Sequence, residues 1–119
     1  MYSDYVKKFG EEQILSLKEA INYASTLNAL GQFKEAKQLL KKTTPMARRV
    51  VGESHELTLA MRSIYAKALY KDTGATLDDL REAVDTLEDS ERIARRVLGS
   101  THPLVQTTVR DMRDARALI

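Results

Sequence analysis

The nine residues from Ala47 to His55, ARRVVGESH, return as ARRVLGSTH from Ala94 to His102. Nothing else in the chain limits its fold as strongly. A segment that recurs at a fixed step marks a structural unit built more than once, and a step of about 40 residues is the size of one helix pair. The glycines set the step: Gly10 to Gly52 is 42 residues, and Gly52 to Gly99 is 47. Glu35-Ala36 return as Glu82-Ala83, also 47 apart, while Leu27 and Leu69 keep the step of 42. The extra five residues therefore lie between Leu69 and Glu82. That is a change of loop length between two helices, where insertions are tolerated.

Periodicity supplies the helices. From about Glu12 to Leu30, apolar residues recur at Ile14, Leu17, Ala20, Ile21, Ala24, Leu27 and Leu30, which paints one face of a helix. Gly31 ends it, since glycine enters the left-handed region without strain. A second helix runs from about Phe33 to Val51 with Phe33, Ala36, Leu39, Leu40, Ala47 and Val50 inward. Pro45 lies inside it, which predicts a kink or break near Thr43-Thr44. A third runs from about Glu56 to Lys71, and a fourth from a Thr76 cap to Leu98. In the fifth, Thr101 or His102 caps and Pro103 takes the first turn, where a missing N–H costs nothing. Ala24, Ala36, Ala66, Ala83 and Ala94 read as close-approach positions between stacked pairs. Tyr5 and Lys7-Lys8 match the end of the second helix at the 42-residue step, so Phe9-Gly10 reads as a worn third copy of the turn.

These residues resemble the kinesin-light-chain kind of tetratricopeptide repeat. The likeness rests on VLGSTHP (97–103), VVGESHE (50–56) and GQFKEAKQLL (31–40), with Ala24, Leu27 and Asn22 in the preceding helix. Gln13, Glu56, Ile64 and Asp111 depart from that pattern, and the insertion interrupts the second inter-helix turn. The resemblance implies an all-α fold: antiparallel helix pairs stacked as a right-handed solenoid of about two and a half repeats. The expected organisation is one domain over 1–119. Residues 1–10 end a preceding repeat or form a cap, 11–52 and 53–99 are the repeats, and 100–119 is a capping helix.

The residues that look chemical have plainer structural roles. His55 and His102 stand before helices on different repeats, and without cysteine they lack metal-ligand spacing, so both read as caps. Arg48-Arg49 and Arg95-Arg96 end helices and suit the negative dipole there. The acids of residues 78–91 spread around their helix beside Arg92 and Arg95, a solvated and ion-paired face. No glycine-rich phosphate loop is present, and Ser54-His55 is a loop neighbour pair rather than a triad. Neither an enzyme nor a cofactor is expected. A net charge of +2 argues against a nucleic-acid partner, and no apolar run has the length of a membrane span. With no cysteine and no signal-peptide pattern, a cytoplasmic location is expected.

The expected activity is protein binding. In the family's register the first helix of each pair lines a concave groove. That groove carries Lys18, Asn22, Ser25 and Asn28, then Ser63, Lys67, Tyr70 and Lys71, then Thr107, Arg110 and Asp114. Lys18 and Asn22 resemble the first Lys-Asn pair of the carboxylate-clamp repeats. Ala60, Ile64, Thr107 and Asp111 hold the remaining clamp positions, so a full clamp is not formed. What remains is a polar, basic-leaning groove suited to an acidic peptide, in an adaptor or scaffold. The alternative is a repeat fragment that assembles with itself through its open ends.

Overall fold

The computed structural model describes residues 2–119, with the side chains of residues 2, 3, 5 and 6 outside that description. Five helices follow in order: α1 (Tyr2–Ala29), α2 (Phe33–Val50), α3 (Glu56–Lys71), α4 (Leu77–Leu98) and α5 (Pro103–Ala117). Each packs antiparallel on the next, and α3 also rests on both α1 and α5. Among the described residues α2 and α4 do not approach each other. The helices therefore form two layers, with α1, α3 and α5 on one side and α2 and α4 on the other.

The caps explain where the helices begin and end. At the end of α1, Gly31 takes a φ of 77°. Its N–H bonds Asn28 O, and the Gln32 N–H bonds Leu27 O, so the orphan carbonyls are satisfied by a Schellman turn. The repeated segment makes one turn twice. Gly52 and Gly99 take φ of 103° and 90°. Three residues on, His55 Nδ1 accepts from the Leu57 N–H and His102 Nδ1 from the Leu104 N–H, each at 3.0 Å. Both histidines are N-caps, as the sequence suggested. His102 Nε2 also lies 3.5 Å from Glu56 Oε1, the residue after the first cap, so the two turns meet. Thr76 caps α4 in a reciprocal box with Asp79. The backbone N–H from Thr76 to its carboxylate holds Asp79 below the usual carboxylate range.

At two places where the sequence allows a break, the helix is not interrupted. Gly10 does not end a helix: α1 runs straight through it. Glycine inside a helix costs only about 1 kcal/mol relative to alanine. A turn at this place would also need a cap to start the next helix, and Gln13 stands where His55 and His102 cap. α2 likewise continues unbroken across Pro45. Ala36, Leu40, Thr44 and Ala47 are buried on either side of the proline, and that packing holds the helix together against one lost backbone bond.

The core is continuous through the stack. Leu17 and Ala24 of α1 meet Leu40 and Ala47 of α2 and Met61 of α3. Ala66, Leu69 and Tyr70 then meet Ala83, Val84 and Leu87 of α4 and Ala115 of α5. Ala24, Ala36, Ala66, Ala83 and Ala94 are all fully buried, which lets the backbones approach. One face recurs in two environments. In α3, Leu57, Met61 and Tyr65 pack into the cluster made with α1 and α2. At the 42-residue step α1 carries Leu15, Glu19 and Tyr23, and there Leu15 and Tyr23 are 56% and 57% exposed.

Candidate peptide-binding groove

The inner layer brings most of the expected residues to one surface. Lys18, Asn22 and Ser25 of α1 are exposed, as are Lys71 of α3 and Arg110 and Asp114 of α5. Between α1 and α3 lies a hollow of about 280 Å³ lined by Ser25, Asn28, Ala29, Ile64, Lys67 and Lys71. Asn28 staples its two walls, donating Nδ2–H to Ile64 O at 3.1 Å. Its Oδ1 is buried and has no partner among the described residues.

Ser63 and Tyr70 belong elsewhere. Both are buried and join α3 to α5. Thr108 Oγ1 donates to Leu104 O at 2.7 Å, so Ser63 Oγ supplies the proton in its 3.0 Å bond to Thr108. Tyr70 Oη donates to Asp111 Oδ1 at 2.9 Å. Burial and the Asp111 charge push the Tyr70 hydroxyl well above the usual phenol range, so it stays a donor. Lys67 Nζ stands 3.7 Å from the same Asp111 oxygen. Lys67 thus faces the groove with its charge partly answered from within, which makes Lys18, Lys71 and Arg110 the freer cations.

The family's register puts Ser63 and Tyr70 on the groove, whereas in this chain both turn toward α5. A hydroxyl buried against a partner on a helix 45 or 41 residues away leaves no trace in local spacing. In the sequence Asp111 stands out as a departure from the repeat pattern and as a position of the incomplete clamp. It is instead the buried acceptor of this junction, 2% exposed.

Among the described residues no group of three or more His, Cys, Asp or Glu is placed to hold a metal ion. No described helix is long and apolar enough to cross a membrane.

Helix pairs stacked antiparallel, with first helices on one layer and second helices on the other, define an α-solenoid. Residues 20–56, from the middle of α1 to the start of α3, match the family described as tetratricopeptide repeat, which is not associated with catalysis. No curated protein and no solved structure matches the chain. The chain is therefore an all-α, tetratricopeptide-like solenoid of five helices packed as antiparallel pairs.

Proposed function

We propose that the chain is a protein-interaction module that holds an extended or helical acidic peptide against the α1–α3 side of its inner layer. The observation that carries this reading is the hollow between α1 and α3, where Ser25, Asn28, Lys67 and Lys71 converge. Lys18 and Asn22 extend the same polar strip along α1, four residues apart and so on one helical face. The cations steer an acidic segment, and the exposed amide and hydroxyl groups supply hydrogen bonds to its backbone. In the finer reading, the repeats are of the kinesin-light-chain kind and the chain serves as a cytoplasmic adaptor or scaffold. Affinity measured by fluorescence anisotropy against an array of acidic peptides tests this. Combining Lys18→Ala, Asn22→Ala and Lys71→Ala is expected to weaken every binder at least tenfold. Binding that is indifferent to the triple substitution removes the groove from consideration.

A second reading, assembly through the open end of the stack, is favoured by one observation: Leu15 and Tyr23 are exposed on the α1 face whose α3 equivalent is buried. Glu19 stands there in place of the fully buried Met61, so an identical helix pair would bury an unpaired carboxylate. Self-association that is abolished by Tyr23→Lys would support this reading; a monomer throughout would end it.

A further inference from the structure

The outer layer carries two stripes of opposite charge. α2 exposes Lys34, Lys41, Lys42, Arg48 and Arg49 against the single acid Glu35. None of its bases has an acid three or four residues away within the helix, and Lys34–Lys37 and Lys37–Lys41 are like-charged neighbours at those spacings. The first half of α4 is the opposite. Asp78, Asp79, Glu82, Asp85 and Glu88 crowd it, with Arg81 as its one base. In α2 the like charges of Lys34, Lys37 and Lys41 find no acid at those spacings within their own helix, so they gain from acids supplied by another surface.

The compensation within the chain is incomplete. α2 and α4 share a direction and lie side by side, yet do not touch. A furrow separates them, floored by α3 at Arg62, Tyr65 and Leu69. Two hollows that share Lys41 and Tyr65 make it continuous along α2. Across it the Lys37 and Lys41 charges act on Asp79 and help to hold its carboxyl low, while Lys37 Nζ lies 3.9 Å from Asp72 at the end of α3. Lys34, Lys41, Asp78 and Asp85 form no ion pair or hydrogen bond among the described residues. The reach of Lys34 to Lys41 equals that of Asp78 to Asp85, seven residues or about 10 Å of helix in each case.

We propose that the outer layer is a docking surface for a second copy of this chain, formed back to back about a two-fold axis that runs along the furrow. Half a turn about that axis lays α2 of each copy over α4 of the other in the same direction. Lys34 and Lys41 of one copy then meet Asp78 and Asp85 of the other. The same contact is made twice, so the assembly closes at two. The inner groove faces outward from both copies and stays open. This surface is separate from the peptide-binding reading, and neither depends on the other.

Sedimentation equilibrium of the intact chain tests the proposal. At low ionic strength a dimer is expected. It should dissociate toward about 0.5 M salt, where screening acts over only a few ångströms. Lys34→Glu with Lys41→Glu in one variant, and Asp78→Lys with Asp85→Lys in another, should each be monomeric. An equimolar mixture of the two variants should restore a dimer containing one of each, which also shows that both are folded. Arg113→Ala, exposed on α5 and outside both surfaces, should leave the dimer intact. A monomer at low salt, a dimer untouched by either reversal, failure of the mixture to pair, or growth beyond a dimer each overturns the proposal.

Discussion

At the scale of single residues, the charged groups that matter most are those tied between elements. Arg62 is 11% exposed and reaches from α3 to Asp89 of α4 at 2.6 Å and to Glu53 of the α2–α3 turn at 3.6 Å. The hydrogen bond from Arg62 holds the Asp89 carboxyl below its usual range, with the Arg62 and Arg92 charges adding to the effect. A carboxyl lowered by folding stabilises the fold above its unfolded value of about 3.9 and loses that contribution as the pH falls through the lowered one. Asp89→Asn is therefore expected to cost only about 1 kcal/mol at pH 7, since the carboxylate is more than a third exposed and screened. The difference from the parent should shrink as the pH falls below about 4 and be lost as it passes through the lowered value. Urea unfolding of both proteins from neutral to acid pH checks it, and a gap that does not narrow in acid would remove Asp89 ionisation as the cause. Tyr65 behaves in the opposite sense. Burial, then the Glu82 charge it donates to, pushes its hydroxyl up to about 12, so its contribution is present below pH 10 and fades only in strong alkali.

At the scale of elements, the glycines separate what the sequence states from what it only suggests. Gly99 sits at φ 90° and ψ 154°, a region that side chains avoid, so Gly99→Ala should cost about 1–3 kcal/mol. Gly10 occupies the equivalent repeat position but is helical, and a Cβ there would meet nothing within 4 Å. Gly10→Ala should therefore stabilise the protein by up to about 1 kcal/mol. Thermal unfolding of the two variants would show shifts of opposite sign; a loss at both would mean that Gly10 makes a turn after all. The bounds of α3 and α4 and the capping by His102 were readable because each is written in local chemistry: an imidazole or hydroxyl before the helix, a glycine behind it. Gly10 and Pro45 misled because a breaker acts only if its neighbours allow it. Gln13 gives no second cap, and Thr44 and Ala47 are packed too firmly for α2 to part. Of the groove residues expected from the family's register, Lys18, Asn22, Ser25 and Lys71 are exposed. Ser63 and Tyr70 are not, because their partners arrive from α5 through the tertiary fold.

At the scale of the whole molecule, five helices span 55 × 30 × 20 Å, and each packs on its neighbours in the chain. α5 packs on α4 and α3. Val105 is buried against Leu59 and Ala94, while Arg110, Arg113 and Asp114 face outward. Deleting residues 100–119 would strip Thr108 and Asp111 from Ser63 and Tyr70 and open the α3–α4 surface. A loss of at least about 3 kcal/mol is expected, with a shallower urea transition and binding of a hydrophobic dye. A truncated chain that unfolds as steeply as the parent would show that α5 is only an appendage. The meeting of the two repeated turns carries a final consequence. His102 reaches back to Glu56, the residue that follows the first cap, so the second turn is tied to the first. The residue that follows the second cap is Pro103, which has no carboxylate, so the tie runs one way, from the later turn to the earlier.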